Sequence, residues 1–247
     1  MRSCQVLEPG RVAYAEALQL QRQLTAQRKQ GLISDRLLLL EHPHTITLGR
    51  NARAGNILAG DDVLARTGIS VFETDRGGDV TYHGPGQLVG YPLLSLNPLR
   101  PDRSQEESFS SENDTVRPVR SDYVGYVRKL EKTLIVALAR LGVVAGQRSG
   151  LTGVWVQADV HSRCLRCRPE DKEKPAKIAA IGVKVDARGV SRHGFALNVN
   201  PDMEYWDGII ACGLSEPVVS LADLFNPVPA MERVKKEVIT AFREVFE

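Results

Sequence analysis

Residues 177–199 read KIAAIGVKVDARGVSRHGFALNV, and this stretch decides the predicted fold. Two strand-like runs, 178–185 and 194–199, flank the polar turn Asp186-Ala187-Arg188-Gly189. Apolar runs separated by a short turn that contains Asp and Gly are typical of an antiparallel hairpin. The stretch therefore favours an α+β fold with mixed, largely antiparallel sheets over a repeating strand–helix–strand fold.

Further strands and helices are predicted on both sides of this hairpin. The strands are expected at 37–41, 45–48, 69–73, 87–96 and 152–157. The helices are expected at 12–31, 123–141 with Ser121 as N-cap, and 233–246. Together they predict a two-layer α/β arrangement in which helices flank the sheets.

Two polar stretches interrupt this pattern. Residues 101–119 are acidic and nearly free of aliphatic side chains, and residues 158–176 are also polar. Such segments bury too little apolar surface to offset their ordering entropy, so we interpret both as inserts. The chain is therefore predicted to be a single domain over 1–247 that carries two polar inserts.

Composition limits the class of protein. The chain has 247 residues, 43% of them hydrophobic, and a net charge of +2. This is enough to form a full core and too little charge for a general nucleic-acid binder. We expect no membrane segment, because no apolar run approaches the roughly 20 residues that a spanning helix needs. Only four cysteines and no signal-like start predict free thiols and a cytoplasmic location.

Cys212 is the candidate nucleophile. It lies in the segment GIIACGL at 208–214, and a thiolate attacks a thioester readily. Gly213 follows directly, and a glycine there leaves its N–H free to point into a site as an oxyanion donor. A free cysteine alone is more often a small buried apolar residue, so the hypothesis depends on its neighbours.

Lys177 is the candidate proton carrier. A lysine at the edge of an apolar strand usually reaches solvent. It acts as a base only where burial or a neighbouring cation disfavours its charged form. Lys184 follows seven residues later, so on a regular strand it points to the opposite face and only one of the two can face the site.

A glycine-rich stretch provides the candidate binding loop. Residues 76–87 read RGGDVTYHGPGQ and contain His83. Glycines permit positive φ and a close approach of the backbone to a ligand. The stretch is neither a P-loop nor a dinucleotide fingerprint. The structural alternative is a tight double turn between strands, with His83 hydrogen-bonded inside it.

A possible metal site is the weaker interpretation of the second insert. His161, Cys164 and Cys167 are three possible zinc ligands within seven residues. Structural zinc takes four ligands, commonly as two pairs, and the sequence has no second pair. We therefore predict no metal and a solvated loop with two free thiols, whose arginines are candidates for docking an acidic protein.

Taken together, these motifs resemble the octanoyltransferase family, the lipoyl(octanoyl) transferases of lipoate biosynthesis. They occur in the family's order over about residues 35–220, outside the inserts. The matching segments are Glu41-His42-Pro43, Thr47–Arg50, Arg76–Pro92, Gly153–Val156, Lys177–Val185, His193–Asn200 and Ala211–Leu214.

The resemblance implies the fold of lipoate–protein ligases and biotin ligases and assigns roles to residues. It implies a catalytic dyad of Cys212 and Lys177, in which the cysteine carries the octanoyl group as a thioester. The implied substrate-binding residues are Arg76, Gly77, Gly78, Thr81, Tyr82, His83, Gly84, Ala180, Ile181, Gly182, His193, Gly194 and Ala196. The oxyanion donors are expected from Gly213 or from the 76–87 loop.

The resemblance also implies the partners. The donor is acyl carrier protein, which delivers the acyl group on its phosphopantetheine, so no separate cofactor is expected. The acceptors are lipoyl domains of 2-oxoacid dehydrogenase complexes and the glycine cleavage H protein. An ATP-dependent lipoate–protein ligase, a non-catalytic acyl-binding module and a cysteine hydrolase remain alternatives.

Overall fold

A large sheet forms the centre of the protein. The computed structural model describes residues 4–96, 122–161, 164, 167–209 and 216–247. The large sheet has seven strands in the order β1-β2-β6-β10-β9-β8-β7. Their ranges are β1 Cys4–Arg11, β2 Asp35–Glu41, β6 Gln87–Leu93, β7 Ala145–Arg148, β8 Leu151–Val156, β9 Ala176–Val185 and β10 Ser191–Asn198.

The predicted hairpin lies in the middle of this sheet. Strands β9 and β10 are antiparallel, with Gly194 opposite Gly182 and Ala196 opposite Ala180. Among the described strands of the large sheet, only β1 and β2 are paired in parallel. The prediction of mixed, largely antiparallel sheets flanked by helices is therefore confirmed.

A smaller sheet carries part of the glycine-rich stretch. It has the order β4-β3-β5, with β3 at Thr45–Leu48, β4 at Ser70–Glu73 and β5 at Val80–His83. The stretch 76–87 was predicted to be one loop, but β5 occupies its centre. The apolar and aromatic residues of VTYH are buried, which favours a strand between two glycine turns.

Helices cover both faces of the large sheet. The described α-helices are α1 Tyr14–Lys29, α2 Asp61–Thr67, α3 Tyr123–Arg140, α4 Ala158–His161, α5 Leu221–Leu224 and α6 Met231–Phe246. Helix α3 begins at a different cap from the predicted Ser121, which lies outside the described residues. Asp122 is the N-cap, and its carboxylate accepts a hydrogen bond from the Gly125 N–H at 2.7 Å.

The core is divided by the sheets. In the main cluster, α3 and α6 pack on one face of the large sheet. Helix α3 contributes Leu130, Leu134 and Leu138, which are spaced four residues apart and so share one face of the helix. A second cluster lies under α1, and a third lies behind the small sheet around Tyr82 and Trp206. No helix within the described residues is long and apolar enough to cross a membrane.

The second insert corrects one prediction. Cys164 and Cys167 are joined in a disulfide and are not two free thiols. Cys164 is buried, and Cys167 packs against the main cluster, so this part of the insert is attached to the core. The predicted insert at 101–119 lies outside the described residues.

Candidate active site

A cavity opens between the large sheet and the small sheet. It is partly open to solvent, and its volume is about 40 Å³. Strands β9 and β10 line it with Ala180, Ile181, Gly182, His193, Gly194 and Ala196, all predicted substrate-binding residues. The predicted residues Arg76, Gly78, Thr81 and His83 line it from the glycine-rich stretch.

Three predicted binding residues lie away from this wall. The Gly77 N–H donates to the Val183 carbonyl at 2.9 Å. Tyr82 packs behind the small sheet, where its hydroxyl pairs with His44 Nδ1 at 2.7 Å. Gly84 packs against the Tyr82 ring, so it supports the wall from behind.

Sequence reasoning missed three aromatic residues of the cavity. Tyr14 enters from α1, Tyr91 from β6 and Phe195 from β10. Tyr91 and Phe195 lie inside the quoted family segments, but their strand pattern predicts only core packing. Burial raises the pKa of Tyr14 to about 12, so its hydroxyl stays protonated at neutral pH.

Lys177 is held inside the protein. Its exposure is 5%, and its Nζ lies 4.7 Å from the centre of the Trp155 ring. The guanidinium of Arg148 lies 5.2 Å from the centre of the same ring and forms an ion pair with Glu216 at 3.0 Å. The indole therefore provides an apolar, electron-rich surface under the amine.

Gly153 makes room for this lysine. Its φ is +123°, a region that favours glycine, and a Cβ there would lie 2.7 Å from the Ala179 carbonyl oxygen and 3.5 Å from Lys177 Cε. Its N–H donates to the fully buried carboxylate of Glu131 at 3.1 Å. The Glu131 side chain of α3 thus fixes the backbone of β8 at Gly153, next to Lys177.

The backbone of Lys177 is bonded to the chain that follows Cys212. The Lys177 N–H donates to the Pro217 carbonyl at 2.8 Å, and the Val219 N–H donates to the Lys177 carbonyl at 3.0 Å. Cys212 and Gly213 lie outside the described residues. On the other side of the cysteine, the Gly208 carbonyl accepts from the N–H groups of Leu58 and Ala59 at 2.9 and 3.0 Å.

The tautomer of His83 follows from its neighbour. Its Nδ1 lies 2.8 Å from Gln87 Oε1, while the Gln87 amide nitrogen donates to the Tyr82 carbonyl and to Asn198 Oδ1. Gln87 Oε1 therefore accepts, and His83 Nδ1 carries the proton. Burial lowers the pKa of His83 to about 3, so the ring is neutral and its Nε2 is a hydrogen-bond acceptor.

The same contacts connect the cavity wall to the lysine strand. Asn198 accepts from Gln87 at 2.9 Å and donates to the Val219 carbonyl at 3.0 Å. Val219 in turn donates its N–H to Lys177. A continuous chain of buried hydrogen bonds therefore runs from His83 to the backbone that pairs with Lys177.

A second buried histidine supports the aromatic wall. The His42 Nδ1–H donates to the Val12 carbonyl at 2.7 Å, so Nε2 accepts from the Tyr91 hydroxyl at 2.7 Å. Burial lowers the pKa of His42 to about 4. The neutral ring fixes the orientation of Tyr91 at the cavity.

An ion-paired cluster holds His193 at the cavity wall. His193 Nε2–H donates to Asp75 Oδ1 at 2.9 Å, and Arg192 donates to Asp75 Oδ2 at 2.6 Å. Burial on its own raises the pKa of Asp75, but the His193 hydrogen bond and the charges of Arg192 and Lys184 outweigh it and lower that pKa. Asp75 directly precedes the glycine-rich stretch, and nothing in its local pattern predicted this contact.

Several backbone amides of the glycine-rich stretch are already occupied. Besides Gly77, the Gly86 N–H donates to the Glu41 carboxylate at 2.7 Å, and the Gln87 N–H donates to the Gly84 carbonyl at 3.1 Å. These three groups are therefore unavailable to an oxyanion in this arrangement. Among the described residues, no group of His, Cys, Asp and Glu side chains is arranged to hold a metal ion.

Comparison with known proteins identifies the family. The family described as the lipoyl protein ligase A/B catalytic domain matches residues 13–243. A protein of Solibacter usitatus named octanoyltransferase is 45% identical over all of this chain and 94% of its own length. An octanoyltransferase of Chloroflexus aurantiacus is 43% identical over all of this chain and 95% of its own length.

Solved structures agree on the fold. Lipoate-protein ligase A bound with ATP gives a TM-score of 0.64 at 16% identity, over 98% of this chain and 84% of that one. The bi-partite lipoate protein ligase of Thermoplasma acidophilum gives 0.63 at 16% identity, over 98% of this chain and 82% of that one. The chain therefore belongs to the lipoyl protein ligase A/B catalytic-domain family and, within it, to the octanoyltransferases, which are acyltransferase enzymes.

Proposed function

We propose that this enzyme transfers an octanoyl group from acyl carrier protein to a lysine of a lipoyl domain through a thioester on Cys212. The observation that carries the proposal is the buried Lys177 amine. Its strand is hydrogen-bonded to residues 217 and 219, which follow Cys212 by only a few positions. The apolar cavity begins three residues further along the same strand, at Ala180.

The first half-reaction forms the acyl-enzyme. Lys177 Nζ takes the thiol proton of Cys212, and the thiolate sulfur attacks the carbonyl carbon of the octanoyl thioester. The tetrahedral intermediate collapses, the bond to the phosphopantetheine sulfur breaks, and that sulfur takes the proton from Lys177. The products are the Cys212 thioester and the free thiol of acyl carrier protein.

The second half-reaction forms the amide. A neutral lysine amine of the lipoyl domain attacks the Cys212 thioester and loses one proton, and the Cys212 sulfur leaves as a thiol. Conversion of a thioester into an amide is downhill, so the reaction requires neither ATP nor a bound cofactor. The proposed acceptors are the lipoyl domains of 2-oxoacid dehydrogenase complexes and the glycine cleavage H protein, in the cytoplasm.

Intact-protein mass spectrometry tests the nucleophile. Incubation with octanoyl-acyl carrier protein should add one octanoyl group to the wild type and none to Cys212→Ala. Cys4→Ala is the matched control, because Cys4 is the cysteine outside the disulfide among the described residues and belongs to the edge strand β1. An octanoyl adduct on folded Cys212→Ala would refute the assignment.

The cofactor requirement separates this proposal from a ligase. Transfer from octanoyl-acyl carrier protein to a lipoyl domain should proceed equally with and without ATP. A strict requirement for ATP with free octanoic acid would identify a ligase. Release of octanoic acid faster than transfer to the amine would identify a hydrolase.

A further inference from the structure

Strands β9 and β10 line the cavity up to one last residue, counted from the Lys177 end. The register of β9 and β10 places Ala196 opposite Ala180, Gly194 opposite Gly182, and His193 opposite Val183. Among the lining residues of these two strands, His193 is the farthest along the ladder from Lys177. Ala180, Gly182, Gly194 and Ala196 carry at most a methyl side chain, whereas His193 places an imidazole ring at the cavity.

His193 is fixed in an unusual backbone conformation. Its φ is +56°, a left-handed value that non-glycine residues adopt only where the surroundings enforce it. Its N–H donates at 2.8 Å to the side-chain oxygen of Gln21, which is fully buried on α1. Its ring is held by Asp75 at 2.9 Å, so both ends of the residue are anchored.

The length of the β9 lining fits a chain of eight carbons. A strand rises about 3.3 Å per residue, so the three steps from Ala180 to Val183, opposite His193, cover about 10 Å. An extended octanoyl group measures roughly 9 Å, from C–C bonds of about 1.5 Å. A carbonyl placed at the Lys177 end therefore brings the terminal methyl group to the imidazole.

The residues at the His193 end of the cavity are polar and partly ion-paired, so this end is a barrier to further methylene groups. Asp75 is bonded on one oxygen by His193 and on the other by Arg192. A longer chain must displace the His193 ring from the Asp75 carboxylate. Because the ring is buried, its Nε2–H would then be left without a partner, which is costly.

We propose that the His193–Asp75 pair ends the acyl cavity and sets the maximum length of the acyl group that the enzyme transfers. This inference rests on the proposed octanoyl transfer. Within it, His193 determines specificity by contact with the end of the acyl chain, and Asp75 and Gln21 position His193.

Competition between acyl donors tests the inference. Wild type and His193→Gly are given equimolar octanoyl- and decanoyl-acyl carrier protein with a lipoyl domain, and the two products are counted by mass. Glycine tolerates the positive φ and removes the ring. The decanoyl-to-octanoyl ratio should rise roughly tenfold, as expected for burying two further methylene groups.

Arg192→Gln is the matched control. It removes a charge from the same carboxylate and leaves the His193 ring in place, so the product ratio should stay at the wild-type value. A ratio unchanged in folded His193→Gly would overturn the inference. If circular dichroism shows that His193→Gly is unfolded, His193→Asn takes its place, since asparagine also tolerates this φ, and an unchanged ratio there is equally decisive.

A binding measurement keeps this inference separate from the proposed reaction. Calorimetric titration with octanoic and dodecanoic acid needs no catalysis. The wild type should favour octanoic acid, and His193→Gly should lose or reverse that preference. If the wild type transfers no acyl group but the two proteins still differ in this preference, the proposed reaction is wrong and the proposed role of His193 is supported.

Discussion

At Lys177 a side chain that normally reaches water is enclosed by the chain that surrounds it. Its aliphatic part crosses Gly153, and its amine lies over Trp155. The sequence predicted that either this lysine or Lys184 would face a site. Lys184 is half-buried and close to Asp75. The two lysines therefore differ in environment, because Lys177 is enclosed against an aromatic ring and Lys184 lies near a carboxylate.

Substitution of this lysine should remove proton transfer and spare the fold. Lys177→Met keeps a flexible apolar stem over Trp155, and octanoyl transfer should fall by about 10²–10⁴-fold, the usual contribution of a general acid–base group. Lys184→Met is the matched control and should stay within a few-fold of the wild type. Steady-state transfer to a lipoyl domain measures both. Equal losses in the two variants would contradict the assignment of Lys177.

Asn198, near the end of β10, connects several elements through its side chain. Its side chain connects Gln87 of β6 to the Val219 backbone. Its exposure is 2%. If the asparagine were lost, water could therefore not replace it as the hydrogen-bond partner of the Gln87 amide and the Val219 carbonyl. This contact joins the glycine-rich stretch, the large sheet and the segment after Cys212.

Removal of that connection should destabilise the protein measurably. Asn198→Ala leaves buried polar groups without partners, and the free energy of unfolding should fall by about 1–3 kcal/mol. Asn200→Ala is the control, because Asn200 is exposed, and its effect should stay within about 0.5 kcal/mol. Urea denaturation measures both. Equal stability of the two variants would argue against a structural role for the connection.

The central elements could be predicted because their pattern and their burial agree. The runs of β9 and β10 are apolar and joined by a tight turn, and both strands form as expected. Strand β1 was missed, because CQVLEPGR contains proline and glycine and much of it is exposed. Only its pairing with β2 makes it a strand, and such a long-range contact leaves no local signal.

On the scale of the whole molecule, the buried histidines His42, His83 and His193, whose pKa values are lowered by burial, make stability dependent on pH. His42 and His83 have pKa values of about 4 and 3 in the folded protein because burial disfavours their charged forms. In the unfolded chain each has a pKa near 6.5. The unfolded state therefore binds more protons below pH 6.5, and the folded state loses stability as the pH falls through that value.

This effect should be visible between pH 8 and pH 5. At pH 5, His42 and His83 should each lower the free energy of unfolding by about 2 kcal/mol, from 1.5 pH units at about 1.4 kcal/mol each. Urea denaturation at several pH values measures it, and His83→Gln should show a shallower decline than the wild type. Asp75 and Asp186 have lowered pKa values and act only below about pH 3.8. A stability that stays flat to pH 5 would exclude neutral burial of these rings.

The candidate site as a whole was less predictable than its motifs. The glycine-rich stretch and the β9–β10 residues were singled out by composition and by resemblance. Tyr14 was missed because a helix pattern predicts only a face, and the Asp75–His193 contact was missed because it joins residues 118 positions apart. Contacts of this kind depend on how the sheets are stacked, which local sequence does not encode.

The two anchors of the residues around Cys212 have a consequence for turnover. Ile209 is buried in the cluster behind the small sheet, whereas Val219 belongs to the main core. The residues on either side of Cys212 therefore belong to two different packing clusters. Substitutions that weaken the packing of either cluster near Ile209 or Val219 should alter turnover before they unfold the protein.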